Sequence, residues 1–191
     1  MSSEMSKATD NASAATILVV DDEPYMRTII SRWLTEAGYR CAQAENADAA
    51  WKHLQQHDIH IVTLDISMPG RSGADLLPQI KQHYPDTEVI MLTALGEANL
   101  AISMLTHGAY GYLIKPVEPE ELVFQAKKAL ERRQLVIEKR QYTRDLENKV
   151  REQTATIRRA HEDTILRLVS ASRYRDEENG AQVGQVAGRA A

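Results

Sequence analysis

The 191-residue sequence predicts an α/β fold in which a parallel sheet lies between layers of helices. Three observations lead to this prediction. Short runs of β-branched and large apolar residues recur up to residue 114, and such runs are typical of strands buried on both faces. Amphipathic segments of helical length separate the runs, so strand and helix alternate as in βαβ units. Acidic, hydroxyl or basic residues follow four of the runs, where the carboxyl ends of parallel strands would lie.

Five strands and five helices are predicted in this order. The strands are expected at residues 17–20, 39–45, 60–64, 88–92 and 110–114. The helices are expected at residues 24–37, 47–57, 73–84 and 97–107, and a fifth begins after Pro119. Pro24 falls at the first position of the first helix, where its missing N–H costs nothing, and Gly38 falls just past that helix, where glycine is favoured. Gly108 closes the fourth helix in the same way.

The residues that follow four of the runs predict an anionic, cation-dependent site. They are Asp21-Asp22-Glu23, Asp65, Thr93-Ala94 and Lys115-Pro116. Ligands of an open parallel sheet collect at the carboxyl ends of its strands, so these residues should converge. Crowded carboxylates need protons or a cation, and Mg²⁺ (or Mn²⁺) is the simplest cation for oxygen ligands. We assign Asp22 and Asp65 as direct ligands. A backbone carbonyl near Ser67 is the third ligand, and Asp21 is held mainly through water.

A carboxylate in such a site can act as a nucleophile toward phosphorus. Asp65 is the candidate, because it stands alone at the tip of a central strand. Phosphoryl transfer depends largely on positioning and on charge neutralisation, which Mg²⁺ and the ammonium of Lys115 would supply. The hydroxyl of Thr93 can donate a hydrogen bond to a phosphoryl oxygen. An acidic pair after a strand is by itself more often a loop feature, but four fragments in this order favour a functional site.

Over about residues 16–130 the chain resembles the receiver domain of two-component response regulators. The motifs that carry the resemblance are Val19-Val20-Asp21-Asp22-Glu23, Leu64-Asp65-Ile66-Ser67-Met68-Pro69-Gly70, Leu92-Thr93-Ala94 and Lys115-Pro116. The resemblance implies a flavodoxin-like (βα)₅ sheet in the order 2-1-3-4-5. It also implies phosphorylation of Asp65 by a sensor histidine kinase or a phosphotransfer protein.

The same resemblance implies roles for residues around the acidic site. Thr93 and Ala94 would bind the phosphoryl group, and Tyr112 would turn inward when Thr93 moves toward it. The Lys115–Pro116 peptide bond is expected to be cis. Such a module is not an enzyme in the usual sense, since at most it catalyses its own phosphoryl transfer and dephosphorylation.

The segment after Pro119 predicts a long helix that forms a parallel homodimer. No Gly or Pro interrupts the sequence between Pro119 and Gly180. Apolar residues recur roughly every 3.5 to 4 residues, as in a coiled coil, at Val136, Tyr142, Leu146, Val150, Ile157, Ala160, Ile165 and Leu168. A helix of this length is not stable without a partner, so residues 131–176 are expected to form a two-stranded coiled coil. Polar residues weaken its seam at Thr143, Gln153 and Arg167, and a solvated, partly frayed helix is the alternative.

Residues 163–180 carry a second resemblance, to the opening of an HD-GYP domain, a metal-dependent cyclic-di-GMP phosphodiesterase module. Gln182 stands where that family has a His, and no His-Asp pair or Gly-Tyr-Pro motif follows. No phosphodiesterase site can therefore be carried over, and residues 177–191 are expected to be a flexible tail, the remnant of such a start. In an alternative interpretation, the chain is the regulatory fragment of an HD-GYP response regulator whose catalytic domain is absent.

A third interpretation is a phosphoaspartyl phosphatase of the haloacid-dehalogenase type, but Asp21-Asp22-Glu23 lacks the Asp-x-Asp spacing of those enzymes.

Composition favours a cytoplasmic signalling protein. Cys41 is the single cysteine, which excludes an internal disulfide. No apolar stretch approaches the roughly 20 residues that span a bilayer. Residues 1–15 lack the apolar core of a signal peptide and are expected to be a disordered lead-in.

Charge distinguishes the two halves of the chain. Residues 17–116 hold seven Lys and Arg against twelve Asp and Glu, which suits an acidic phosphoacceptor face. Residues 117–176 mix many charges of both signs. A dedicated nucleic-acid surface would be basic, so direct nucleic-acid binding is not expected, and neither is membrane association.

Overall fold

Strands and helices alternate in the computed structural model, which describes residues 15–94 and 98–187. The strands are β1 (Thr16–Val20), β2 (Arg40–Ala44), β3 (Ile61–Asp65), β4 (Glu88–Thr93) and β5 (Gly111–Ile114). The helices are α1 (Pro24–Glu36), α2 (Ala47–Gln56), α3 (Gly73–His83), α4 (Ala98–Thr106) and α5 (Pro119–Ala187). The bounds of the strands and of the first four helices fall within one residue of the predicted positions.

The five strands form one parallel sheet in the order β2-β1-β3-β4-β5. Strand β1 pairs with β2 and β3, and β3 pairs with β4 in a register that places Asp65 opposite Leu92. The predicted flavodoxin-like fold class and strand order are thereby confirmed. Because β1 and β3 are interior strands, the residues that follow them lie near the middle of the carboxyl edge of the sheet.

Apolar layers cover both faces of the sheet. In β1, Leu18 and Val20 belong to the layer that includes α2, α3 and α4. Ile17 and Val19 belong to the layer that includes α1 and α5, and all four side chains are fully buried. Successive side chains of a strand point to opposite faces, so a strand covered on both faces needs an apolar residue at every position. Each such side chain stabilises the fold by about 1.5–3 kcal/mol relative to exposure.

The first turns of α5 pack on the sheet. Leu122, Ala126 and Ala129 are fully buried in the layer shared with α1. One turn further, Nε of Arg133 donates a hydrogen bond of 2.8 Å to the backbone carbonyl of Asp86, which lies just before β4. These contacts fix the start of the long helix on the sheet.

The chain divides into two units after residue 138. As far as it is described, the second unit is helical from residue 139 to residue 187. Six of its described large apolar side chains are between 50% and 71% exposed, namely Tyr142, Leu146, Val150, Ile157, Ile165 and Leu166. Within the described ranges, no helix combines the length and apolar character needed to cross a membrane.

The two ends of the chain depart from the predicted domain bounds. The helix continues through Gly180 and Gly184 to Ala187, whereas a flexible tail is predicted from residue 177. An isolated glycine costs a helix about 1 kcal/mol relative to alanine, which weakens the helix without ending it. The rest of the tail, residues 188–191, lies outside the described residues, as do residues 1–14 of the predicted lead-in. Ala15 is buried, and its carbonyl accepts a hydrogen bond of 3.0 Å from the N–H of Arg40.

Candidate functional site

Four strand ends bring the predicted site residues to one edge of the sheet. Asp21 follows β1 and Asp65 ends β3, and these two strands are neighbours. Thr93 ends β4, and Lys115 follows β5. The side chain of Lys115 reaches across the end of β4, so that Nζ donates to Oδ2 of Asp21 at 2.7 Å and to Oδ2 of Asp65 at 2.8 Å. One ammonium therefore joins two carboxylates from different strands.

Three carboxylates form an acidic cluster at this edge. Asp21 is fully buried, Asp22 is half-buried, and Asp65 is 5% exposed. One oxygen atom from each of the three lies within 4.8 Å of the other two. Lys115 can balance one of the three negative charges, and an unbalanced buried carboxylate costs several kcal/mol. A divalent cation with a preference for oxygen ligands fits both the charge and the chemistry of this donor set.

The pKa values of Asp65 and Lys115 reflect the burial of the pair. Burial raises the pKa of Asp65 and outweighs the opposing hydrogen bond from Lys115. Burial lowers the pKa of Lys115, but the hydrogen bonds to Asp21 and Asp65 outweigh it, so that this pKa is raised. The raised pKa of Lys115 favours a charged pair, whereas the raised pKa of Asp65 opposes one. The two short contacts of Lys115 support the charged pair, and a bound cation would further favour the ionised form of Asp65.

The backbone around Asp65 is held closely by the start of α3. A Cβ atom placed on Gly73 would lie 2.0 Å from the backbone carbonyl oxygen of Asp65. The N–H of Gly73 donates a hydrogen bond of 3.0 Å to the carbonyl of Ile66, and the N–H of Ser67 donates to Oδ1 of Asp65 at 3.3 Å. Nothing local in the sequence marks Gly73 as part of the site, because only the fold brings α3 against the end of β3.

The remaining predicted residues lie around the cluster. Thr93 is fully buried, its Oγ1 donates to the carbonyl of Ala94 at 3.4 Å, and its own carbonyl accepts from the N–H of Lys115 at 2.7 Å. Ala94 and Ser67 are exposed. Tyr112 is half-buried and packs against the apolar layer that includes α2, α3 and α4. The Lys115–Pro116 peptide bond is cis.

The turn between β1 and α1 contains a contact that the sequence pattern does not predict. The NH1 group of Arg27 donates hydrogen bonds to the backbone carbonyls of Asp21, at 2.7 Å, and of Asp22, at 3.0 Å. A basic residue in the first turn of a helix is the one sequence signal for this contact, since the helix dipole disfavours a cation there.

Comparison with known proteins identifies the same segment of the chain. The family model of the response regulator receiver domain matches residues 17–127. The DNA-binding transcriptional regulator NtrC of Azospirillum brasilense is 35% identical over 118 residues, which make up 62% of this chain and 24% of NtrC. The chain thus matches about a quarter of the length of this curated relative.

Solved structures resemble the same part of the chain. The crystal structure of a response regulator receiver domain protein from Clostridium thermocellum is 33% identical with a TM-score of 0.62, and the match covers 64% of this chain and 98% of that protein. The signal receiver domain of an HD domain-containing protein from Pseudomonas fluorescens Pf-5 is 29% identical with a TM-score of 0.60, and the match covers 63% of this chain and 98% of that domain. With the family match, the fold and the acidic edge of the sheet in agreement, this chain belongs to the response regulator receiver domain family.

Proposed function

We propose that this chain is a two-component response regulator that accepts a phosphoryl group on Asp65 and signals through α5. The observation that carries the proposal is the position of Lys115, whose ammonium contacts both Asp21 and Asp65 within 2.8 Å. That contact places a fixed positive charge beside the one carboxylate that ends a central strand. Such an arrangement suits an oxygen nucleophile that must take up a doubly charged group.

Asp22, Asp65 and a backbone carbonyl near Ser67 would hold Mg²⁺ (or Mn²⁺), and Asp21 would bind it through water. When bound, the cation supplies neutralisation of the charge on the phosphoryl oxygens. The acidic cluster supports this assignment, because one oxygen atom from each of its three carboxylates lies within 4.8 Å of the other two. Lys115 balances only one of the three negative charges.

The proposed reaction is a displacement at phosphorus. One carboxylate oxygen of Asp65 forms a bond to the phosphorus of a phosphohistidine on the kinase or phosphotransfer protein. The P–N bond breaks, its electron pair returns to the imidazole nitrogen, and that nitrogen takes up a proton from solvent. Lys115 remains beside Asp65 and binds a phosphoryl oxygen, and Thr93 and Ala94 bind the others.

Switching would start at Thr93. Its side chain is fully buried, and its carbonyl holds the N–H of Lys115 at 2.7 Å, so a rotation of Thr93 toward the phosphoryl group affects β5 directly. Tyr112 belongs to β5 and is half-buried, and in this proposal it would turn inward when Thr93 moves. The response would be read on α4, β5 and the start of α5.

We further propose a parallel homodimer through α5. Val136, Val150 and Ile157 recur at intervals of whole heptads and are exposed, and Leu146 lies four residues before Val150. β-Branched residues at one core position of the heptad and Leu at the other favour two parallel strands. The partner that fits this face is therefore a second copy of the same helix.

The test of phosphoryl acceptance uses acetyl phosphate as the donor and mass spectrometry of the intact protein as the readout. The unsubstituted chain should gain one phosphoryl group in the presence of Mg²⁺ and none with a chelator. Asp65→Asn should abolish the gain. Asp48→Asn, which removes an exposed carboxylate in the first turn of α2, is the matched control and should leave it unchanged. Retained incorporation in Asp65→Asn would contradict the assignment.

A second candidate function is regulation of a cyclic-di-GMP phosphodiesterase. It is favoured by the resemblance of residues 163–180 to an HD-GYP start and by the likeness to the receiver of an HD domain-containing protein. In this proposal the same phosphorylated receiver controls an HD-GYP domain through α5. DNA binding is named for the relative NtrC, and for this chain we expect none, because α5 mixes charges of both signs. Purified chain should shift the mobility of a DNA duplex no more than albumin does.

A further inference from the structure

The turn between β1 and α1 carries two of the three carboxylates of the acidic cluster, and Arg27 binds its backbone. NH1 of Arg27 donates to the carbonyl of Asp21 at 2.7 Å and to the carbonyl of Asp22 at 3.0 Å. Both bonds are charge-assisted and come from one planar group, which fixes the two carbonyls relative to each other. Arg27 is itself half-buried at the start of α1.

The start of α1 depends on such contacts because an ordinary cap is missing. The residue that precedes the helix, Glu23, makes no hydrogen bond from its side chain to the first turn. Its N–H instead donates to Oδ1 of Asp21 at 2.9 Å, while Oδ2 of Asp21 binds Lys115 at 2.7 Å. The side chain of Asp21 is thus held at both oxygens. For Asp22, the bond from Arg27 to its carbonyl sets the orientation of the backbone from which its carboxylate projects.

We infer that Arg27 is a positioning residue for the cation site, which it serves by holding the backbone from which Asp21 and Asp22 project. The inference rests on the proposed function, in which these two carboxylates and Asp65 hold Mg²⁺. Groups that orient metal ligands from outside the ligand set typically change metal affinity by about 10–100-fold when removed. We expect the effect of Arg27 to be about tenfold.

A purely electrostatic role and a positioning role of Arg27 predict opposite changes in Mg²⁺ affinity when the residue is replaced. A guanidinium close to a cation site repels the cation, so its removal by charge alone would strengthen Mg²⁺ binding. Loss of the two backbone hydrogen bonds frees the turn, and the ligands must then be ordered when the cation binds, which weakens binding. The direction of the change therefore separates a positioning role from a purely electrostatic one.

The experiment measures Mg²⁺ affinity by calorimetry in the full chain and in three variants. Arg27→Ala removes both the donors and the charge, whereas Arg27→Gln removes the charge but keeps an N–H donor. Arg27→Lys keeps the charge on a group without the planar fork. Arg32→Ala is the matched control, because Arg32 lies on the same helix, is exposed, and pairs with Glu36 at 3.7 Å. A cooperative thermal unfolding transition in each variant would show that the variant is folded before Mg²⁺ is added.

A second readout needs no metal. In the metal-free protein, the amide proton of Glu23, which donates to Oδ1 of Asp21 at 2.9 Å, should exchange with solvent about tenfold faster in Arg27→Ala than in the unsubstituted chain or in Arg32→Ala, because the turn opens more often. If Arg27→Ala does not fold, Arg27→Gln and Arg27→Lys provide the same comparison.

The inference would be supported by weaker Mg²⁺ binding in Arg27→Ala together with faster amide exchange in the turn. The Mg²⁺ affinity of Arg27→Lys or Arg27→Gln should then lie between those of Arg27→Ala and the unsubstituted chain. Unchanged or tighter Mg²⁺ binding in a folded Arg27→Ala would overturn it, as would unchanged amide exchange. Failure of the unsubstituted chain to bind Mg²⁺ would instead contradict the proposed function, and the metal-free exchange would still decide the role of Arg27 in the turn.

Discussion

Replacement of Gly73 with alanine should destabilise the protein, although the same change in a helix is usually favourable. The new Cβ would lie 2.0 Å from the carbonyl oxygen of Asp65 and 2.9 Å from its carbonyl carbon. An ordinary contact begins at 3.4 Å, so the backbone of α3 or β3 has to shift by more than an ångström. Overpacking of this kind costs about 1–3 kcal/mol or more, whereas the helical preference for alanine returns about 1 kcal/mol.

We expect the free energy of unfolding of Gly73→Ala to fall by about 2 kcal/mol. For a domain of this size, that corresponds to a Tm lower by about 6–8 °C. A shift of β3 would also change the position of Asp65 relative to Lys115, so the variant should accept a phosphoryl group more slowly from acetyl phosphate even at temperatures where it is folded. Thermal and urea unfolding followed by circular dichroism measure the first effect, and the mass of the intact protein measures the second.

Gly111→Ala is the matched control for this prediction. Its new Cβ would meet only the side-chain oxygen of Gln125 at 3.7 Å, an ordinary contact. The change should therefore alter the free energy of unfolding by no more than about 0.5 kcal/mol. If Gly73→Ala is as stable as the unsubstituted protein, or more stable, the close approach of α3 to Asp65 is not as the structure describes it.

Three further predictions concern Lys115, the helix seam and His60. Lys115→Ala leaves two carboxylates without their cation, which should lower the free energy of unfolding by about 3 kcal/mol. Added Mg²⁺ should restore part of this loss, and unfolding at several Mg²⁺ concentrations measures both effects; an equal Tm with and without Lys115 would contradict the pairing. Val150→Lys or Ile157→Lys should convert the proposed dimer to a monomer in light scattering, whereas Ala155→Lys, on the opposite side of the heptad, should not. A dimer that survives both seam substitutions would exclude this face. Burial, with a smaller contribution from Arg133, lowers the pKa of His60, so the unfolded chain binds the proton more tightly. This part of the stability is present above about pH 6.5 and is lost as the pH falls below that value. His60→Gln should flatten the pH dependence of urea unfolding between pH 7.5 and pH 5, and the same slope in both proteins would rule out this role.

Much of the fold follows from features that are local in sequence. The run from Ile17 to Val20 contains no polar residue, and it is an interior strand with both faces covered. The punctuation by Pro24 and Gly38 places the ends of α1, because these residues act through their own backbone. The positions of Asp21 and Lys115 follow equally well, since each directly continues a strand and parallel strands end at one edge.

The contacts that local sequence does not predict are those made through space to the backbone. Arg27 binds two carbonyl groups, which every residue has, so nothing in the sequence marks its targets. Gly73 is required by the approach of another chain segment, and its own φ is not positive. The helical course of residues 177–187 differs from the prediction for a related reason, because glycine lowers helix stability by a small amount and neighbouring residues can outweigh it.

The burial of Asp21 has a consequence for how the acidic site responds to its surroundings. The side chains of the ion pair Arg158–Glu162 are 81% and 59% exposed. Dissolved salt weakens the attraction in such exposed pairs, because mobile ions screen exposed charges with a Debye length of about 8 Å at physiological ionic strength. Asp21 is fully buried, and Lys115 is 19% exposed where it meets Asp21, so mobile ions have little access to this pair. Ordinary changes in ionic strength should therefore leave the site almost unaffected, and ligands that enter it directly are what can alter its charge balance.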